Sequence, residues 1–145
     1  MTTISPASDA MLLLLPQAMT SVAAARRLVV TAALQAGMAR GVREDLAVVV
    51  SELVTNAVRH AQPLPEGSIE LGYRMEPDGV SMRVQVRDGG ATTPPRTRRS
   101  PAAATGGRGL VIVARLADSW GVEAGETSTT VWALVGGATV ENPRG

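Results

Sequence analysis

Ser51 to His60 reads SELVTNAVRH and continues an apolar run that begins DLAVVV at Asp45. An α-helix turns about 100° per residue, so Glu52 and Asn56, four apart, stand roughly 40° from one another. Arg59 and His60 fall on the same side. Leu46, Val49, Val50, Leu53, Val54 and Ala57 make up the rest of the circumference. A helix divided this way buries its apolar side and turns the polar stripe to water or to something that needs it. Glu52 offers a general base and Asn56 an oxygen for a hard cation such as Mg²⁺. Arg59 and His60 suit phosphate. On this helix alone a solvated face explains the stripe equally well.

The pattern outward from this helix sets the order of elements. On the N-terminal side, residues 1–10 are small, polar and expected to be loose. MLLLLP, Met11 to Pro16, fits a short buried strand ended by proline. Thr20 or Ser21 suits the cap of a first helix running to about Ala36, with Val22, Ala25, Leu28, Val29, Ala32 and Ala33 on its apolar side and Gly37 as its stop. The central helix is expected from about Val42 to Ala61, with Glu44 and Asp45 in its first turn and QPLPEG beyond its end.

On the C-terminal side the period changes to two. SIELGYRME sets Ile69, Leu71, Tyr73 and Met75 against Glu70, Gly72, Arg74 and Glu76, and VSMRVQVRD sets Val80, Met82, Val84 and Val86 on one side. Pro77-Asp78-Gly79 joins them as a hairpin turn. Gly89 to Gly109 is rich in Pro, Gly, Ser and Thr, and a structureless stretch of that length is usually functional, such as a lid. LVIVARLAD predicts a helix, and SWGVEA and TTVWALV two closing strands. One domain over 11–136 follows, with the lid at about 89–109 and loose ends at 1–10 and 137–145. Strands bunched after helices favour α+β: a mainly antiparallel sheet with helices on one face.

The totals exclude several classes. The 145 residues are 45% hydrophobic, enough for one folded domain with a core. There is no cysteine, so disulfides, thiolate metal sites and cysteine nucleophiles are out. A net charge of +1 makes no case for direct nucleic-acid binding. MLLLLP is far short of the ~18 residues that cross a bilayer and lacks a signal peptide's flanks, so a cytoplasmic, membrane-free protein is expected. Trp120 and Trp132 are read as core.

Two further stretches carry chemistry. Asp88-Gly89-Gly90 ends an alternating strand: a carboxylate can accept from an amino group, and glycine admits a flat ring, although an ordinary turn explains the same residues. Gly106, Gly107 and Gly109 open a helix whose bare amides suit an anion, although a hinge explains them too. No Walker loop and no dinucleotide fingerprint is present.

In this order and spacing the three stretches resemble the GHKL ATPase superfamily, the histidine-kinase-like ATP-binding proteins. Glu52-Leu-Val-Thr-Asn56-Ala-Val-Arg-His60 is similar to its N box, Asp88-Gly-Gly90 to its first glycine box and Gly107-Arg108-Gly109-Leu110 to its second. The small size and the LLLLP and TTVWALV ends look most like the single-domain anti-sigma-factor serine kinases. The resemblance implies the Bergerat fold, a two-layer sandwich with a mainly antiparallel mixed sheet and about three helices on one face. It implies ATP and Mg²⁺ as cofactors. Asn56 would hold the metal, Glu52 would deprotonate a serine on a protein substrate, and Asp88 would accept from the adenine amino group beside Gly90. Thr130 would support Asp88, and Arg59, His60, Gly107, Arg108, Gly109 and Leu110 would complete the nucleotide site. The implied partners are a sigma factor, an antagonist protein or both, and the implied assembly is a homodimer. Ala91-Thr92-Thr93-Pro94-Pro95 departs from the family's usual glycine after the first box. Arg96, Arg98, Arg99 and Arg108 make the lid basic, suited to phosphate or to a partner. The competing functions are an ATP-binding partner switch without kinase activity and an interaction module that binds no nucleotide. A histidine-kinase fragment is disfavoured, because His60 is the only histidine.

Overall fold

A computed structural model describes residues 2–5, 10–90 and 108–137. The elements are β1 (Thr2–Ser5), β2 (Ala10–Pro16), α1 (Thr20–Gln35), α2 (Arg40–His60), β3 (Ser68–Met75), β4 (Met82–Asp88), α3 (Arg108–Leu116), β5 (Ser119–Ala124) and β6 (Thr129–Val135). The strands form one sheet in the order β1-β2-β3-β4-β6-β5. Every pairing among the described residues is antiparallel, so the sheet is not mixed there. The α+β class with its helical layer stands.

The central helix buries the six residues its periodicity selected: Leu46, Val49, Val50, Leu53, Val54 and Ala57. They meet Ile69, Leu71 and Tyr73 of β3, Met82, Val84 and Val86 of β4, and Val131, Ala133 and Val135 of β6. Ala25, Val29 and Ala33 bring α1 into the same core. α1 ends as expected at Gly37: its N–H donates to the Leu34 carbonyl, and its φ of 80° turns the chain so that the Met38 N–H reaches the Ala33 carbonyl.

Several expectations are corrected. Residues 2–5, read as loose, pair with Leu13 back to Ala10 and extend the sheet. β2 is only half buried: helices cover one sheet face, so Leu14, on the other, is exposed. Trp132 stands on that outer face too, its indole lying against Gly121 with the Arg83 guanidinium 4.7 Å from its ring centre. Neither Thr20 nor Ser21 caps α1. Both lie inside it, and the Ser21 hydroxyl donates to the Pro16 carbonyl at 2.6 Å. α2 begins at Arg40, so Glu44 and Asp45 belong to its second turn. Val80 is exposed in the β3–β4 turn rather than in β4.

That turn hangs on Asp78. Its carboxylate accepts from the Val80 and Ser81 amides at 2.8 and 2.9 Å and from the Ser81 hydroxyl at 2.8 Å. These bonds hold its pKa below the ordinary 3.8, the Ser81 amide contributing most. An acid depressed in the folded state stabilises above its unfolded pKa and loses that contribution as pH falls through the folded value. Asp78→Ala is therefore expected to lower the thermal midpoint at pH 7. The gap to wild type narrows as pH falls through the carboxylate range, which melting curves at pH 7, 5 and 3 would show.

Candidate nucleotide site

Two of the three segments meet at one end of the helical layer, and the third, α3, packs against α2. α2 packs against α3 and against β4 and β6. The end of α2 is joined to the Asp88 turn by two backbone bonds: Gly89 N–H to the Gln62 carbonyl at 2.7 Å and Gln62 N–H to the Gly90 carbonyl at 2.9 Å. Asn56 stands four residues before the helix end, about 6 Å back along its axis. Glu52, half buried like Asn56, lies one turn further back.

Asp88 is buried and shares its sheet face with Met82, Val84 and Val86, because strand side chains alternate. Its carboxylate accepts the Gly90 N–H at 2.7 Å. Gly90 has φ 103°, which side-chain-bearing residues rarely adopt, and a Cβ there would touch nothing within 4 Å. Among the described residues, then, nothing crowds the Gly90 backbone. The residue opposite Asp88 is Thr129, which is buried. Thr130 is opposite Arg87 and Glu123, so alternation turns it to the outer sheet face, away from Asp88. Thr129, not Thr130, shares the buried face with Asp88. β6 itself is TTVWALV, as the sequence predicts.

The Asn56 Nδ2 is buried and has no hydrogen-bond partner. Leaving such a donor unsatisfied costs about 1–3 kcal/mol, so its place in a polar stripe beside Glu52 suits a ligand that brings an acceptor oxygen. Arg59 and His60 are exposed in the last turn of α2, where cations suit the helix's negative end. Leu110 is fully buried in the core, so its side chain packs beneath the site rather than lining it. Arg108 and Gly109 begin α3. Gly107 and the lid arginines Arg96, Arg98 and Arg99 lie outside the described residues.

The sequence reading missed Gln17. Its side-chain Nε2 donates to the Ala57 and Ala61 carbonyls at 3.0 and 2.8 Å, closing the open end of α2 from the β2–α1 turn. A contact made across forty residues leaves no local pattern.

Among the described residues no group of three or more His, Asp or Glu side chains could hold a metal. A divalent cation here would need oxygens brought by its ligand, the usual habit of Mg²⁺ with phosphates. The unpartnered Asn56 Nδ2 is a donor and suits a phosphate oxygen, the Oδ1 of the same amide is the atom that could take a cation, and the Gly90 backbone suits the approach of a flat base.

An antiparallel sheet under a helix with one polar stripe, with an acid–glycine turn tied to that helix's end, makes a two-layer α+β domain. The chain belongs to the histidine kinase-like ATPase domain family, whose pattern matches residues 15–134, and the family implies ATP as the nucleotide. In fold it is similar to a solved structure described as the RsbU and RsbW domains of Rv1364c from Mycobacterium tuberculosis. The TM-score is 0.65 at 20% identity, over 86% of this chain and 32% of that one. The chain thus spans about a third of that protein. No curated protein matches it in sequence. No helix among the described residues is long and apolar enough to cross a membrane.

Proposed function

We propose that this protein is an ATP-binding regulator of the anti-sigma-factor type, which binds a sigma factor and phosphorylates a serine of an antagonist protein. The observation that carries the reading is the buried, unpartnered Asn56 Nδ2, a donor suited to a phosphate oxygen, on the stripe that also holds Glu52, one helix end away from Asp88-Gly-Gly90. Asn56 would hold Mg²⁺ through its side-chain oxygen, Asp88 would accept from the adenine amino group with Thr129 behind it, and the amides at the start of α3 would serve the phosphates. Mg²⁺, when bound, offsets phosphate charge. Glu52 takes the serine proton as the hydroxyl oxygen bonds to the γ-phosphorus and ADP leaves, a reaction that asks for positioning more than covalent help. The anti-sigma part of the reading rests on the motif set, and the fold shared with an RsbW domain agrees with it.

Calorimetric titration with ATP and Mg²⁺ tests the site. A hydrogen bond to a charged group contributes about 1.5–3 kcal/mol, so Asp88→Asn is expected to weaken ATP at least about tenfold. Asn56→Ala is expected to remove the Mg²⁺ dependence. Absence of binding at millimolar ATP would reject the nucleotide site. ATP binding without transfer of labelled phosphate to a cognate antagonist would leave a partner switch without kinase activity.

A further inference from the structure

Residues 61–64 run from the end of α2 as a strap against the Asp88–Gly90 turn, joined to it by the two backbone bonds through Gln62. The approach is so close that a Cβ on Gly89 would lie 2.1 Å from the Pro63 carbonyl oxygen and 2.7 Å from its carbon, where ordinary contact begins at 3.4 Å. Gly89 does not have a positive φ, so contact, not backbone conformation, demands glycine there. Gly90 contributes differently: its φ of 103° turns its carbonyl onto the Gln62 N–H. The strap has little room to retreat. Gln17 holds it from behind, through the Ala57 and Ala61 carbonyls and through its own N–H to the Gly67 carbonyl at 2.8 Å. Leu64 is buried, and Pro63 and Pro65 restrict the backbone.

We infer that Gly89 and Gln17 are positioning residues that set base selectivity: the strap they hold fixes the Asp88 carboxylate and the uncrowded Gly90 backbone relative to α2. The inference rests on the nucleotide reading above. Adenine presents an amino group where guanine presents a carbonyl, so a carboxylate in the right place favours the first and repels the second. An alanine at position 89 meets a braced strap, so the Asp88 turn moves by more than an ångström and discrimination is lost.

The test is the ratio of Kd for ATP and GTP, measured with Mg²⁺ for wild type, Gly89→Ala and Gln17→Ala, with a melting curve for each. Wild type is expected to prefer ATP. Gly89→Ala is expected to lose at least tenfold in ATP affinity, with its ATP preference falling toward parity. Gln17→Ala adds no atoms and is expected to lower the same ratio several-fold, which keeps the test decisive should Gly89→Ala not fold. Leu53→Ala, a core change remote from the strap, is the control for destabilisation alone and is expected to leave the ratio unmoved. A lower melting temperature with an unchanged ratio in Gln17→Ala, or in a folded Gly89→Ala, would overturn the inference while sparing the nucleotide site. Failure of wild type to bind either nucleotide would instead reject the nucleotide reading and this inference with it.

Discussion

Glu52→Gln is expected to leave ATP bound and to slow phosphate transfer by roughly 10²–10⁴-fold, the usual contribution of a positioned general base. Glutamine keeps the length and polarity of the side chain, so the stripe on α2 stays solvated and Asn56 keeps its place. It cannot accept the serine proton. The helix itself should be undisturbed, because position 52 is half buried and none of the α2 core residues is changed. The measurement is the rate of label transfer from saturating ATP to the antagonist, beside a titration of ATP on the same preparation. Full transfer by the variant would place the base elsewhere. Loss of ATP binding would give Glu52 a part in holding the nucleotide.

Leu53→Ala, one residue on, is expected to do the reverse. Leu53 is 2% exposed and sits in the core between α2 and the sheet. Truncating such a leucine costs about 2–5 kcal/mol through lost burial and the cavity left behind. For a chain of this length that is a fall in Tm on the order of 6–15 °C. The residual folded protein should still bind ATP, since nothing on the polar stripe is altered. A thermal melt checks the first outcome and calorimetry below the midpoint the second. A change of under 1 kcal/mol would mean that the neighbouring valines close over the gap. Adjacent residues with opposite consequences are what a helix with two faces requires.

The two-faced character of α2 was legible in the sequence because its buried side is large and uniform. Six apolar residues at helical spacing leave one solution, and the same six are buried. The alternation of β3 and β4 was legible for the same reason at period two, as was the Asp78 turn between them. The Asp88-Gly-Gly turn and the N-box spacing were visible as patterns. What failed were readings of residues whose surroundings come from elsewhere in the chain. Trp132 alternates as an outward residue in β6, yet its size suggested core; it is accommodated outside because Gly121 on the neighbouring strand leaves it room. The leucines of β2 suggested burial on both sides, but the second side has no layer over it. Ser21 had the chemistry of a cap, and it bonds instead to the carbonyl of Pro16.

Sequence by itself therefore determined every element but the first strand, where the central helix turns its polar stripe and which residues end the β4 strand, since local periodicity and turn chemistry decide those things within ten or twenty residues. Tertiary structure alone decided which threonine stands beside Asp88, because strand register shifts a side chain to the opposite face with every single residue. It also decided that Gln17 closes the end of α2, and that Gly89 is glycine for the sake of the Pro63 carbonyl. Those are contacts between segments tens of residues apart, and only the packed sheet and helices bring them within an ångström's tolerance.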